Sequence, residues 1–468
     1  LGLVKERLSE YKLQDIVPLV SVNKEPVVKL DGFEVEFIPI AHSIPETSAL
    51  FIKTLYGNIM HATDWRFDDN KLSMVKTDFA SLKRAASEGV DIFVCDSTNV
   101  MVDEPQASEE EVRQNLIKII PEMQGGIVAT CFASNIMRLE SLMLAARAAG
   151  RTPVLAGRSL VTNVKIARQC GYLTEYPEIH TIDEVEGITS DKALYICTGS
   201  QANYRSAMTL IANDESKHIK LCAEDNVIFS SKIIPGNEDK IERLQEKILA
   251  KGVNLVTEED YLVHTSGHAC KKDLQAMYEL LNPKIVLPVH GDKKFIREHK
   301  RFAKSCGVED VFSAQNGDVC LYQNGKIEMV EQVPAEVMGV DRGRSVSLGS
   351  ELIKNRRRIM YNCTLFISAV ISRDYELKSL QFDSIDILEA NEWYVLHEEI
   401  MQKVRPLIER RLAEHPHRNA AEDYIRGQIR RRVFNATDIK PVTMLQVHWE
   451  EDEDDEGDDK EVYSVTVF

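Results

Sequence analysis

The sequence predicts an α/β protein with more than one domain. Its 468 residues are about three times an ordinary domain of roughly 150 residues. A strand-rich first part is followed by alternating helices and strands, and then by a segment with the order strand, strand, helix, helix, strand. Hydrophobic residues make up 44% and charged residues 28% of the chain, which is typical of folded globular proteins and excludes wholesale disorder.

We predict that residues 1–108 form a layer of short strands. Between Val27 and Lys53 the segments VVKL, FEVEFIPI and SALFIKT alternate apolar and polar residues, with Gly and Pro at the turns between them. A hairpin at Gly57 then leads into IMHAT, and the apolar strand DIFVCD covers residues 91–96.

Helices and strands alternate over residues 109–276, which predicts parallel βαβ units. Ser108 and Glu111 form a capping box at the start of the first helix. The strands GGIVATCFA, TPVLAG and ALYICTGS follow, with the helix IMRLESLMLAARAAG between the first two. We expect residues 277–347 to return to the first domain.

The last part of the chain is predicted to be a separate α+β domain over residues 359–449, reached through a linker at 348–358. Residues 450–468 form an acidic tail that we expect to be solvated. Nine of the acidic residues lie between Glu450 and Asp459, so the net charge of −17 falls to about −8 without them. The overall charge therefore does not exclude a nucleic-acid partner.

The composition favours the cytoplasm. Nine cysteines, an odd number, occur without any Cys-x-x-Cys pair, which argues against a disulfide framework and a structural zinc site and fits a reducing compartment. No apolar run approaches the length of about 18 residues that a membrane span needs. We therefore expect no membrane partner.

Four polar residues follow predicted strands, where loops commonly carry functional groups. They are His42, Asp64, His268 and His290. For any one of these histidines, an ordinary hydrogen-bonded residue near a turn is the more frequent case.

Small polar turns between strands and helices are candidate phosphate sites, because successive N–H groups at a helix start attract anions. An ordinary N-capped loop has the same pattern, so both interpretations stay open here. The candidate residues are Ala133, Ser134 and Asn135 in the first turn, and His264, Thr265, Ser266, Gly267 and His268 in the second.

Eight motifs occur in an order that resembles ribonuclease J, a metallo-β-lactamase-fold nuclease with a β-CASP insertion. They are HSIPET, HATDWRFD, CDSTN, FASN, CTGSQ, SSKIIPGNE, HTSGHA and PVHGD, and they cover most of residues 27–292. The resemblance implies a metallo-β-lactamase αββα sandwich with an inserted β-CASP α/β domain and a small α+β C-terminal domain.

The resemblance also implies a catalytic site with two Zn²⁺ ions, Mn²⁺ or Mg²⁺ being alternatives. His42 would bind one ion, His290 the other, and Asp64 would bridge both. His268 would contact the scissile phosphate and protonate the leaving oxygen. Asp96 would orient a metal-bound histidine, and the two small polar turns would hold the substrate with its 5′ monophosphate.

The implied function is a metal-dependent ribonuclease that degrades single-stranded RNA from a 5′ monophosphate in the 5′-to-3′ direction and also cuts internally. Its implied setting is rRNA processing and mRNA decay in the cytoplasm, as a homodimer or homotetramer formed through the C-terminal domain. Two alternatives remain: a purely endonucleolytic β-CASP RNA-processing enzyme, and a non-catalytic RNA-binding scaffold with a decayed metal site.

Two departures from the family pattern bear on these expectations. The His-x-His-x-Asp-His signature, which supplies further metal ligands, is absent, and the only His-x-His lies at His415 and His417 in a basic segment. Since Leu1 is not a start residue, we expect the chain to lack an N-terminal segment that carries the signature. Gln201 is followed by Ala-Asn-Tyr-Arg where the family more often has Gly-Glu-Pro, which makes substrate contacts in that loop uncertain.

Overall fold

A computed structural model of the chain shows a mixed α/β protein and confirms the predicted fold class. It divides into two compact units, residues 1–333 and residues 334–468. Within the described ranges, no helix combines the length and apolar content that crossing a bilayer requires. The described residues are 1–22, 27–62, 64–68, 76–174, 179–185, 188–450 and 464–467, the last without side chains.

The first part of the chain forms the strands expected from its period-two pattern. The first four strands pair as antiparallel neighbours, and the fifth pairs with the fourth in parallel. The elements are α1 (Gly2–Glu10), β1 (Val27–Leu30), β2 (Phe33–Pro39), β3 (Ser48–Lys53), β4 (Asn58–Ala62), α2 (Phe79–Glu88) and β5 (Ile92–Asp96).

The middle part forms a six-stranded sheet in which every pair is parallel, as the βαβ pattern predicts. Apolar clusters cover both faces of this sheet, which explains why its strands read as unbroken apolar runs. The elements are α3 (Glu109–Ile119), β6 (Ile127–Thr130), α4 (Ile136–Ala148), β7 (Thr152–Ala156), α5 (Arg158–Gln169), β8 (His180–Thr181), β9 (Ala193–Cys197), α6 (Ala207–Ala212), β10 (Asn226–Phe229), α7 (Glu238–Leu249) and β11 (Asn254–Val256). The strand order is β11-β10-β6-β9-β7-β8.

The chain then returns to the first sheet, which becomes seven-stranded in the order β1-β2-β3-β4-β5-β12-β13. Strand β12 pairs in parallel with β5, so the carboxyl ends of β4, β5 and β12 lie side by side. The elements of this segment are α8 (Lys271–Leu281), β12 (Ile285–Val289), α9 (Lys293–Ser305), β13 (Asp310–Val311), β14 (Asp318–Gln323) and β15 (Lys326–Gln332).

Helix α8 lies across the boundary that the sequence pattern placed at residue 276. Its buried residues Leu274, Met277, Tyr278 and Leu281 all belong to the apolar core of the seven-stranded sheet. A helix that packs along its whole length in one core is not divided between two domains. We therefore propose that the insertion ends before Lys271.

The second unit contains the predicted order of strand, strand, helix, helix and strand. Two long helices pack on one face of its sheet, whose strand order is β19-β18-β20-β21. The elements are β16 (Met338–Asp341), β17 (Arg344–Ser347), α10 (Glu351–Asn362), β18 (Thr364–Ile371), β19 (Leu377–Ile385), α11 (Ala390–Glu414), α12 (Arg418–Thr437), β20 (Val442–Trp449) and β21 (Ser464–Val467).

Two expectations for this unit need correction. Helix α10 occupies most of the segment predicted as a linker at 348–358; none of its side chains is buried, so no apolar periodicity marks it in the sequence. The acidic tail, which was expected to be solvated, contains strand β21, and this strand pairs with β20. Residues 451–463 of that tail lie outside the described residues.

Candidate metal centre and active site

The strand topology brings three of the predicted site residues to one edge of the seven-stranded sheet. Asp64 follows β4, Asp96 ends β5, and His290 follows β12. These strands are parallel neighbours, so their carboxyl ends present side chains to the same space. His42 follows β2, and the bridge between Ala41 and Arg66 fixes it beside the Asp64 loop.

Asp64, His268 and His290 form a cluster that could hold a metal ion. Each offers a ligand atom, and these atoms all lie within 4.8 Å of one another. His42 Nε2 lies 4.0 Å from Asp64 Oδ2, so the three predicted ligands come together. The sequence pattern separated His268 from the ligands, whereas the structure brings it into the same cluster. Imidazole nitrogens with a carboxylate are a donor set that suits catalytic zinc.

Asp96 lies behind this cluster as a buried carboxylate with 1% of its surface exposed. His268 Nδ1 lies 2.6 Å from its Oδ2, and His290 Nδ1 lies 3.2 Å from its Oδ1. Thr98 donates to Oδ1 from its amide at 2.8 Å and its hydroxyl at 2.7 Å. Burial alone would raise the pKa of Asp96, but the hydrogen bonds from His268, His290 and Thr98 outweigh it and hold the pKa well below its usual range.

The hydrogen bonds with Asp96 determine which ring nitrogen a histidine can offer to a metal ion. A carboxylate only accepts hydrogen bonds, so His268 carries its proton on Nδ1 and leaves the lone pair of Nε2 exposed to the site. The hydrogen bond with Asp96 raises the pKa of His290 against the opposing effect of its partial burial.

His42 is fixed in the same way by the loop that carries His268. Its Nδ1 donates to the carbonyl oxygen of Gly267 at 2.8 Å, which places the lone pair of the ring on Nε2, 3.3 Å from Ser43 Oγ. Burial lowers the pKa of His42, which favours the neutral ring that binds metals. A Cβ at position 267 would lie 2.7 Å from His42 Nδ1, so this close approach requires glycine.

The loop at 264–268 is less open to an anion than the sequence pattern suggests. The amide of Ser266 donates to Gln106 Oε1 at 3.2 Å, and the amide of His268 donates to Ser266 Oγ at 3.3 Å. The helix after the loop begins at Lys271 rather than near Ala269, and Asp273 caps its first turn. Two of the N–H groups expected to bind phosphate, those of Ser266 and His268, are therefore already bonded within the protein.

Three polar residues that the sequence pattern did not single out support this loop. Arg66 is buried and donates to Thr265 Oγ1 at 2.9 Å and to Ser266 O at 2.8 Å. Asn99 donates to Ser266 Oγ at 2.9 Å, and Gln106 donates to His268 O at 2.9 Å. The motifs HATDWRFD and CDSTN contain Arg66 and Asn99, but no local pattern predicts contacts with residues more than 160 positions away.

A buried ion pair joins the two turns that were predicted to hold phosphate. Arg138 is wholly buried and pairs with Glu109 at 2.8 Å. It also donates to Val263 O at 2.9 Å, and its Nη1 lies 3.3 Å from His264 Nδ1. Burial lowers the pKa of His264 well below its usual range, and the positive charge of Arg138 lowers it further. The His264 ring is therefore neutral.

The first turn is also held by internal contacts. Asn135 caps α4 by accepting from the Arg138 amide at 2.9 Å, and its amide group donates to Glu109 at 3.2 Å. Ala133 accepts from Asn163 through its carbonyl oxygen at 2.8 Å. Ser134 is exposed. It is therefore the most accessible of the three residues of this turn that were predicted to contact phosphate.

Together, the sheet with its inserted parallel sheet and the His and Asp cluster define a metallo-hydrolase of the β-CASP type. Residues 124–248 match the family model described as "Ribonuclease J, beta-CASP domain", and residues 252–312 match "Zn-dependent metallo-hydrolase RNA specificity domain".

Curated relatives name the family more closely. A protein named Ribonuclease J from Mycobacterium tuberculosis is 32% identical over 376 residues, which cover 80% of this chain and 67% of that protein. Ribonuclease J from Sinorhizobium meliloti is 32% identical over 80% of this chain and 66% of its own length. Ribonuclease J from Helicobacter pylori strain B128 is 28% identical over 96% of this chain and 66% of its own length. The chain belongs to the ribonuclease J family, and it spans about two thirds of the length of these relatives.

Among solved structures, a protein of unknown function from Enterococcus faecalis V583 aligns with 67% of this chain and 68% of its own. It shares 16% identity at a TM-score of 0.43.

Proposed function

We propose that this protein is a metal-dependent ribonuclease. The observation that carries the proposal is the convergence of Asp64, His268 and His290 within 4.8 Å of one another, with the buried carboxylate of Asp96 behind them. The relatives named Ribonuclease J and the zinc-dependent family description support this function.

We propose that His42, Asp64 and His290 contribute three ligands to a site for two zinc ions, with Asp64 shared between them. Three ligands make this site incomplete, and the His-x-His-x-Asp-His signature that this sequence does not contain would supply the others. Zinc bound here would activate water and polarise a phosphoryl oxygen. Exposure of 42% of the Asp64 side chain and 50% of the His290 side chain leaves the cluster open to solvent and substrate. We propose Mn²⁺ and Mg²⁺ as the alternatives to zinc at this site.

In this proposal His268 acts on the leaving oxygen of the substrate. Asp96 accepts its Nδ1–H at 2.6 Å and stabilises the protonated ring, so Nε2 can carry a proton toward the leaving group. Its position inside the cluster also suits a metal ligand. Replacing His268 by Ala distinguishes a proton donor from a metal ligand. Loss of a proton donor would leave the zinc content unchanged, whereas loss of a ligand would lower it.

We further propose that the substrate is single-stranded RNA with a 5′ monophosphate, degraded in the 5′-to-3′ direction with additional internal cleavage. The exposed side chain of Ser134 supports a terminal phosphate site in the first turn, and contacts from the 264–268 loop stay a prediction. RNA maturation and decay in the cytoplasm, and assembly of two or four copies through the second unit, complete the proposal.

The test is a time course on 3′-labelled, 5′-monophosphorylated RNA with added Zn²⁺ or Mn²⁺. We expect mononucleotides to be released, release to stop with a chelator, and a 5′ triphosphate to slow release markedly. Internal cleavage that ignores the 5′ end would support the endonuclease alternative instead. No cleavage with any metal would contradict the ribonuclease and favour an RNA-binding scaffold.

His268→Ala should reduce turnover by at least 100-fold while RNA binding and zinc content stay unchanged. The matched control is His218→Ala, which removes an exposed histidine that pairs with Asp183 in the same unit. Loss of zinc from His268→Ala would identify it as a ligand, and equal losses of binding and turnover would refute the proton-donor role.

A further inference from the structure

A buried histidine outside the cluster makes two hydrogen bonds that neither the proposed mechanism nor the sequence pattern uses. His299 lies on α9 with none of its surface exposed. Its Nδ1 is 2.8 Å from Ser97 Oγ, and its Nε2 is hydrogen-bonded to the hydroxyl of Tyr278. Ser97 and Tyr278 are buried as well. Burying three polar groups is unfavourable unless each is satisfied, and here the imidazole satisfies both hydroxyl groups.

The three residues of this network lie on the three segments that carry site residues. Ser97 stands directly after Asp96, at the end of β5. Tyr278 is on α8, the helix that follows the His268 loop, and His299 is on α9, the helix that follows His290. The imidazole ring of His299 therefore connects the three segments that follow Asp96, His268 and His290 in the chain.

One of these segments, α8, is not paired with the sheet, although the amide of its first residue, Lys271, donates to Val102 O at 3.0 Å. Strands β5 and β12 are hydrogen-bonded in register, with Asp96 opposite Val289, so the backbone already sets Asp96 relative to His290. Beyond that first residue, the position of α8 relative to the sheet depends on side-chain packing. Asn99 and Gln106 hold the His268 loop directly. The 2.6 Å contact between His268 and Asp96 depends in addition on where α8 lies, to which the bond between Tyr278 and His299 contributes.

We infer that His299 is a positioning residue for the metallo-hydrolase site: through Tyr278 and Ser97 it sets the distance of the His268 loop from Asp96 and His290. The inference rests on the proposed function. Small misplacements at such a site are costly, because catalytic groups must be held within fractions of an ångström. Loss of the network should therefore lower kcat and disturb the metal site while RNA binding stays nearly unchanged.

Replacing His299 should act on the site through the positions of its residues and not through a change in charge. Burial lowers the pKa of His299 to about 4, against the attraction of the Asp96 carboxylate, so the ring is neutral at neutral pH. Replacing it by an uncharged side chain changes no charge next to Asp96. An effect on the site would then be one of position.

The experiment compares His299→Leu, which removes both hydrogen bonds, with His299→Asn, whose amide can still reach Ser97. We expect His299→Leu to lower kcat at least tenfold with KM within twofold of the wild-type value, and His299→Asn to recover part of the loss. The second readout is the visible spectrum of the Co²⁺-loaded protein without RNA, which reports on ligand geometry. We expect the spectrum of His299→Leu to shift.

The matched control is Ala303→Gly, which weakens the same helix at a buried position without touching the network. If Ala303→Gly lowers kcat as much as His299→Leu at equal loss of stability, or if His299→Leu changes neither kcat nor the cobalt spectrum, the inference is wrong. Should His299→Leu not fold, Tyr278→Phe removes a single hydroxyl and should give a smaller change in the same two readouts; no change there also overturns the inference.

The two proposals fail in different ways. If the wild-type protein cleaves no RNA with any metal, the proposed ribonuclease function fails. The cobalt spectrum of the variants is read without RNA, and it still decides whether His299 positions the cluster.

Discussion

The ion pair between Arg138 and Glu109 offers the sharpest test of how the substrate side of the site is supported. Replacing Arg138 by Met removes the cation and leaves Glu109, of which 4% is exposed, as a buried carboxylate without its partner. Breaking a buried ion pair in this way costs about 3–5 kcal/mol. The acceptors on Ser230 and Val263 also lose a donor. We expect a loss of about 4 kcal/mol in the free energy of unfolding of the first unit.

A second variant separates the charge from the packing. In Arg138→Met with Glu109→Leu no buried charge is left over, and replacing a buried pair by apolar residues is often neutral or stabilising. We expect the double variant to recover at least half of the loss, though not all of it, because the bonds to Ser230 and Val263 stay broken.

The assay is hydrogen exchange of peptides from β6 and β10, which measures the local opening free energy in a protein of two units. The stabilities of Arg138→Met, the double variant and the wild type are compared at the same pH. A loss below about 1 kcal/mol in Arg138→Met, or a double variant no more stable than the single one, would refute the argument that an unpaired buried charge dominates.

The other predictions concern the groups around the cluster. The pKa of His299 falls from 6.5 to about 4 on folding, so the unfolded chain takes up the proton first and stability drops by roughly 3 kcal/mol as pH falls from 6.5 to 4; His299→Leu should flatten that part of a urea-denaturation series. Asp96→Asn should weaken zinc binding by about 10- to 100-fold, as measured by competition with a chelator. Asp64→Asn should lose bound zinc in elemental analysis while His218→Ala keeps it, and equal zinc in both would contradict the ligand assignment.

The sequence by itself determined the fold class and supplied candidate site residues. Period-two strands, βαβ alternation and buried apolar runs are local patterns, because each reflects which face of one element is buried. Asp64 and His290 could be predicted as candidates because each follows a strand, and Asp96 followed from the ribonuclease J resemblance. That the three lie at one edge of the sheet rests on the parallel pairing of β4, β5 and β12.

Only the tertiary structure decided how the cluster is supported. The contacts of His42 with Gly267, of Arg66 with Thr265 and of Ser97 with His299 join residues 225, 199 and 202 positions apart. Such contacts leave no periodicity in the sequence, since periodicity records the burial of one element and not the identity of its neighbour. For the same reason helix α10, which buries no side chain, and the place of α8 in the first core could be seen only once the chain was folded.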